Sequence, residues 1–165
     1  NGKKSMLWLD TDRVEVASEM VHLPCDKFHR DGDATGLGWV FVFGSNLGGR
    51  HGLGAAALAV RRYGAKMGQG SGPMGSSYAI PTKDAKLAVL PLSQIEESVA
   101  EFVRYAHTMP DSRFWVTRIG CALAGYTNAQ IAPLFRDAPG NCSFAREWAP
   151  FLLEGIRENA KTRQA

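Results

Sequence analysis

Long apolar runs, paired cysteines and concentrated charge are all scarce in this chain, and each shortage removes a class of explanation. No stretch approaches the roughly 20 apolar residues needed to cross a bilayer, so no membrane span is expected. The first residues also lack the charged start and apolar segment of a secretory leader. The three cysteines, Cys25, Cys121 and Cys142, are odd in number, far apart and free of CxxC spacing. That pattern argues against a disulfide framework and a structural zinc site, and makes a reducing, cytoplasmic setting the simpler expectation. His22, His29 and His107 show no metal-ligand spacing, and no metal or cofactor is expected. The net charge is only +3, and basic residues are spread out except at Arg61-Arg62 and in the tail at Arg157, Lys161 and Arg163. A nucleic-acid stripe would be denser.

What remains is ordinary for a globular protein: 45% hydrophobic and 21% charged residues over 165 positions. A single domain over 1–165 is expected, large enough to bury about two-thirds of its unfolded surface without a covalent staple. Glycine is the unevenly used residue, with many of the 18 lying between Gly32 and Gly75. Punctuation of that density marks loops.

Short apolar runs stand between these loops: Trp39 to Phe43, Ser77 to Ile80, Leu87 to Leu92 and Phe114 to Ile119. Each is too short for a helix and rich in β-branched or aromatic residues, so each predicts a strand. The first and last should be buried. Helical patterns alternate with them. In Ser93 to His107, Ile95, Val99, Phe102, Val103 and Ala106 form one stripe opposite Glu96, Glu97, Glu101 and Arg104, with Ser93 placed to cap the start. Gly54 to Tyr63, closed by Gly64, and Thr127 to Asp137 predict two more helices, and a last one is expected around Trp148 to Asn159. The fold class expected is therefore α/β, a mostly parallel mixed sheet in a three-layer α/β/α sandwich. Residues 1–38 read as an N-terminal extension or edge element, with a strand or hairpin in Met6 to Val16 and a loop from His29 to Gly38.

The segment that carries chemistry runs from Phe43 through Gly44-Ser45-Asn46-Leu47-Gly48-Gly49-Arg50-His51-Gly52-Leu53 to Gly54-Ala55-Ala56. A buried strand leaves into glycines and re-enters a helix of small residues. In parallel sheets ligands bind at such places, because helix N-termini present free N–H groups and the positive end of a dipole. Glycine at Gly44, Gly49, Gly52 and Gly54 would let the backbone approach a phosphate. The competing reading is a turn that needs glycine only for positive φ. The segment lacks the GxxxxGK[ST] of a P-loop, and no acid stands about 20 positions on, where a dinucleotide fingerprint requires one.

Three pieces together resemble the macrodomain family, the ADP-ribose-binding fold. The first is the strand-Gly-Ser-Asn-glycine-loop-helix just described. Ser77-Tyr78-Ala79-Ile80-Pro81-Thr82-Lys83-Asp84 is similar to the central strand and Thr-Lys of the branch that includes the terminal ADP-ribose protein glycohydrolases. Ile119-Gly120-Cys121-Ala122-Leu123-Ala124-Gly125-Tyr126 resembles that branch's IGCGL loop, which wraps the second phosphate and the distal ribose. The likeness covers residues 39–136. It implies a protein that binds ADP-ribose or a related nucleotide and hydrolyses ADP-ribosyl linkages or ADP-ribose phosphate derivatives. The alternative is a binding module without hydrolase activity. An ADP-ribosylated macromolecule would then be the partner.

By that resemblance the ligand-binding set is Gly44, Ser45, Asn46, Gly49, Gly52, Leu53, Gly54, Ala55 and Thr82, with Gly120 through Tyr126. The catalytic candidates are Lys83, Asp84, Asn46 and His51. Asn46 would bond a ribose hydroxyl or hold a water, or else order the loop as an Asx-turn. Lys83 would form an adduct with an opened ribose or neutralise phosphate, or else stand in a solvated polar run. Asp84 would act as general base or ribose acceptor, and His51 as an acid or anion donor, or else as a solvated loop histidine. Cys121 reads as small buried packing or as a nucleophile, and Tyr126 as a ribose contact or a buried anchor. The chain departs from the branch at one point: the aspartate that works with the lysine is replaced by Ala124. Either Asp84 substitutes for it, or the site binds without cleaving.

Overall fold

The computed structural model describes residues 27–153. The strand or hairpin expected in 6–16 and the C-terminal part of the last expected helix lie outside them.

The aromatic and β-branched run after Gly38 forms the central strand, β2 (Trp39–Asn46). Phe41, Val42 and Phe43 are fully buried, as expected of a strand covered on both faces, whose apolar residues run on without alternation. β2 pairs in parallel with β4 (Ser77–Lys83) on one side and with β5 (Arg113–Val116) on the other. The full order is β1-β6-β5-β2-β4-β3, with β1 (Phe28–His29) and β6 (Cys142–Ala145) parallel and β3 (Gly72–Met74) antiparallel at the far edge. Over the described residues the architecture is α/β with a six-stranded, mostly parallel mixed sheet. Among the described residues no helix is long and apolar enough to cross a membrane.

Alternate residues of β2 enter two apolar clusters. Phe41 and Phe43 pack with Ala56 and Ala59 of α1 (Gly54–Arg62), whose alanines let the helix sit close to the sheet. Val42 joins the cluster of α2 (Leu92–Thr108), which buries Ile95, Val99, Phe102, Val103 and Ala106, the stripe read from the sequence.

Several expectations need correction. Leu87 to Leu92 is no strand: its ladder contact is one isolated antiparallel bridge between Lys83 and Val89. Asp84 folds the chain into a turn there, Pro91 has no N–H to give a ladder, and α2 already begins at Leu92. Ser93 therefore lies inside the helix, and Pro91 occupies the cap position without a side-chain bond. β5 stops at Val116, three residues short of the apolar run. The helix expected from Thr127 to Asp137 is split. Thr127 and Gln130 form a capping box on α3 (Asn128–Ile131), and a 3-10 turn follows over Ala132–Phe135. Pro133 explains the change, since it cannot supply an α-helical N–H. A 3-10 turn, Arg146–Trp148, precedes the last helical residues 149–153, and His29 belongs to β1 rather than to a loop.

The connections set the place for a site. From β2 the chain crosses to β4 on one side, and from β5 it crosses to β6 on the other. Loops leaving adjacent parallel strands in opposite directions open a crevice between them at the strands' C-terminal ends.

Candidate functional site

A cavity of ≈ 620 Å³ occupies that crevice, within the size range of small-molecule sites. Gly44, Ser45 and Asn46 at the end of β2 line it, as do Gly52, Leu53, Gly54 and Ala55 at the entry to α1. Thr82 and Lys83 line it from β4, and Gly120, Ala122, Leu123 and Ala124 from the loop after β5. Loops 44–54 and 120–124 thus face one cavity.

The N-terminus of α1 is chemically open. Its cap residue is Leu53, which has no side-chain acceptor, its first turn holds no acid, and the first intrahelical bond runs from Ala57 N to Leu53 O at 3.2 Å. The N–H groups of Gly54, Ala55 and Ala56 therefore precede the helical ladder, and all three residues line the cavity. Gly54 has φ +57, a left-handed conformation that favours glycine there. Gly52 differs: its φ is not in the left-handed region, and a Cβ built on it meets no protein atom within 4 Å. Neither backbone nor packing accounts for glycine at 52.

Charge in the cavity is uneven. Arg50, Arg61, Lys83 and Arg118 line it, against the carboxylates of Asp31 and Asp33. Both carboxylates are already engaged. Asp31 accepts from Arg118 Nε at 3.0 Å, and Asp33 accepts from Arg62 and the Tyr63 hydroxyl. Among the described residues, Arg50, Arg61 and Lys83 form no ion pair, which leaves the wall net basic. The Asp31 carboxylate holds the Arg118 guanidinium further above its ordinary pKa.

Six expected residues stand outside the lining. Gly49 (φ +67) is clamped against the 68–69 backbone, where a Cβ would come within 2.4 Å of Gly68 C. His51 is 3% exposed, gives its Nε2–H to Gln69 O at 2.8 Å and meets Phe43 edge-on; it anchors the loop and is not a solvated loop histidine. Asp84 Oδ1 accepts from the N–H groups of Lys86 and Ala88, at 2.8 and 2.9 Å, so its side chain orders a turn. Burial pushes the Cys121 thiol above its ordinary pKa, in keeping with packing and against a thiolate nucleophile. Gly125 (φ +80) closes a turn onto Ala122 O, and the Tyr126 hydroxyl donates to Leu90 O, a half-buried anchor.

Asn46 lines the cavity, but its amide is used within the loop. Oδ1 accepts from Arg50 N at 2.9 Å and Nδ2 donates to Arg50 O at 2.8 Å. This is the loop-ordering role. Residues that the sequence reading passed over are Asp31, Asp33, Arg61, Leu87 and Arg118. The acid-glycine-acid step at 31–33 was the local signal, but its pairing with Arg118 spans 87 positions.

Comparison with protein families, with characterised proteins and with solved structures finds no match to this chain. An open helix N-terminus, glycines that leave space and, among the described residues, three cations outside any ion pair give the lining groups chemically suited to an anion. Among the described residues no group of three or more His, Cys, Asp or Glu side chains is arranged to hold a metal.

Proposed function

We propose that the cavity binds ADP-ribose or a related nucleotide, with its phosphates at the N-terminus of α1, in a macrodomain-like, three-layer α/β/α arrangement. The observation that carries the reading is the convergence of that helix end, Gly52, Lys83 and Gly120 on one basic cavity at the switch between β2 and β5. Isothermal titration with ADP-ribose tests it: saturable one-site binding is expected, and no heat at millimolar ligand would reject it.

Binding without hydrolysis is the reading favoured over an ADP-ribosyl hydrolase. Hydrolysis at the ribose C1 needs a group to activate the attacking water as well as stabilisation of developing positive charge. Asp84 is turned into its own loop, Ala124 carries no acid, and both Asp31 and Asp33 are held by cations. On this view Lys83 serves as a phosphate cation, and Lys83→Ala weakens binding about tenfold. The assay is release of ADP-ribose from a modified protein or nucleic acid. Release by the wild type that falls on the order of 100-fold in Lys83→Ala would instead establish the hydrolase, with this lysine in its mechanism.

A further inference from the structure

Among the described residues Leu87 is the one non-glycine with positive φ, at +66. It ends a turn from Asp84, with Leu87 N bonded to Asp84 O at 3.1 Å and Asp84 N bonded to Ala88 O at 2.8 Å. The left-handed position at the end of such a turn is normally taken by glycine or asparagine, because a leucine Cβ crowds the carbonyl there. The Asp84 carboxylate holds the strained conformation by accepting from N–H groups on either side of Leu87, those of Lys86 and Ala88. The result is a leucine that lines the cavity while remaining 47% exposed. Two more leucines share this unusual state. Leu53 is 73% exposed at the entry to α1, and Leu123 is 72% exposed in the loop after β5. Three separate segments thus set an exposed leucine in the lining of a cavity that Arg50, Arg61 and Lys83 also line.

We infer that Leu87, with Leu53 and Leu123, is a specificity-determining residue that covers the flat apolar face of the ligand's nucleobase. In this role Asp84 is a positioning residue acting through Leu87. The inference rests on the nucleotide-binding reading above and adds a division of labour to it. Cations and helix N–H groups take the anionic part, and the leucines take the ring. A purely anionic ligand gives no reason for exposed leucines in the lining, and a purely apolar one gives no reason for Arg50, Arg61 and Lys83.

The test uses two variants and two readings. Leu87→Asn keeps a residue that tolerates positive φ while removing the apolar surface, and Leu87→Met keeps the surface. With ADP-ribose as probe, Leu87→Asn is expected to raise Kd about tenfold without lowering Tm, and Leu87→Met to stay within about twofold of wild type. Asp84→Ala should weaken binding in the wild-type background and have no added effect in Leu87→Asn. Methyl NMR supplies the second reading: an aromatic ring over Leu87 shifts its methyl resonances upfield at saturation. Wild-type affinity in Leu87→Asn, equal losses in the Asn and Met variants, or Leu87 methyls that do not move at saturation would each overturn the assignment. If the wild type binds no ADP-ribose at all, the nucleotide reading of the cavity fails first and this one with it.

Discussion

A side chain placed at position 52 separates the ligand's need for space from the protein's own. Gly52 lines the cavity, has no left-handed φ, and a Cβ added to it meets nothing within 4 Å. Gly52→Ala should therefore leave the fold intact. Replacing glycine where the backbone already suits an L residue restricts the unfolded chain and contributes about 0.4–1 kcal/mol of stability. For a protein of this size that corresponds to a rise in Tm of about 1–4 °C. Binding should move the opposite way. If phosphate oxygens lie against the loop backbone, an added Cβ holds them off and weakens charge-assisted hydrogen bonds worth about 1.5–3 kcal/mol each. Losing one such bond is about a tenfold to hundredfold loss of affinity, and Gly52→Val should lose more. Arg50→Ala, which removes a cation and leaves the backbone alone, should weaken binding less. Thermal denaturation paired with calorimetry reads both quantities on the same samples. A folded Gly52→Val protein with unchanged ADP-ribose affinity would refute the backbone cradle.

Asn46→Ala removes two hydrogen bonds that close the loop onto Arg50, so it should cost about 1–3 kcal/mol by chemical denaturation and weaken binding through loop disorder. Full stability in that variant would show that the loop does not depend on the amide. His29 gives a pH signature: burial against Trp115 and beside Ser143 lowers its pKa from 6.5 to about 4. Between those values the unfolded chain binds the extra proton, so stability is full above pH 6.5 and falls as pH drops toward 4, where the loss levels off. An NMR titration of the His29 imidazole with a midpoint near 6.5 would contradict this.

Where the chain's information is local, it was legible. The apolar run 39–43 and the stripe from Ile95 to Ala106 appear as a buried central strand and a helix packed by those residues, because periodicity reports burial directly. β1, β3 and β6 were not legible. They have two to four residues each and exist through partners far along the chain, as in the pairing of Phe28 with Phe144. The run Leu87 to Leu92 shows the opposite failure, since its strand-like composition yields to the turn that Asp84 imposes and to Pro91. At the cavity, glycine spacing pointed to the loop after β2, but chemistry could not be read residue by residue. Asn46, His51 and Asp84 have side chains suited to catalysis, and each is engaged by backbone groups of its own neighbourhood. Arg118 and Asp31 meet only because β5 lies within reach of the segment after β1.

A crystal structure of the protein saturated with ADP-ribose addresses the central claim most directly. The account predicts the pyrophosphate within about 3 Å of the backbone N–H groups of Gly54, Ala55 or Ala56, with Gly52 in contact and Lys83 or Arg50 on a phosphate oxygen. Ligand bound outside the cavity between the 44–54 and 120–124 loops, or a cavity left empty at saturating concentration, would contradict it.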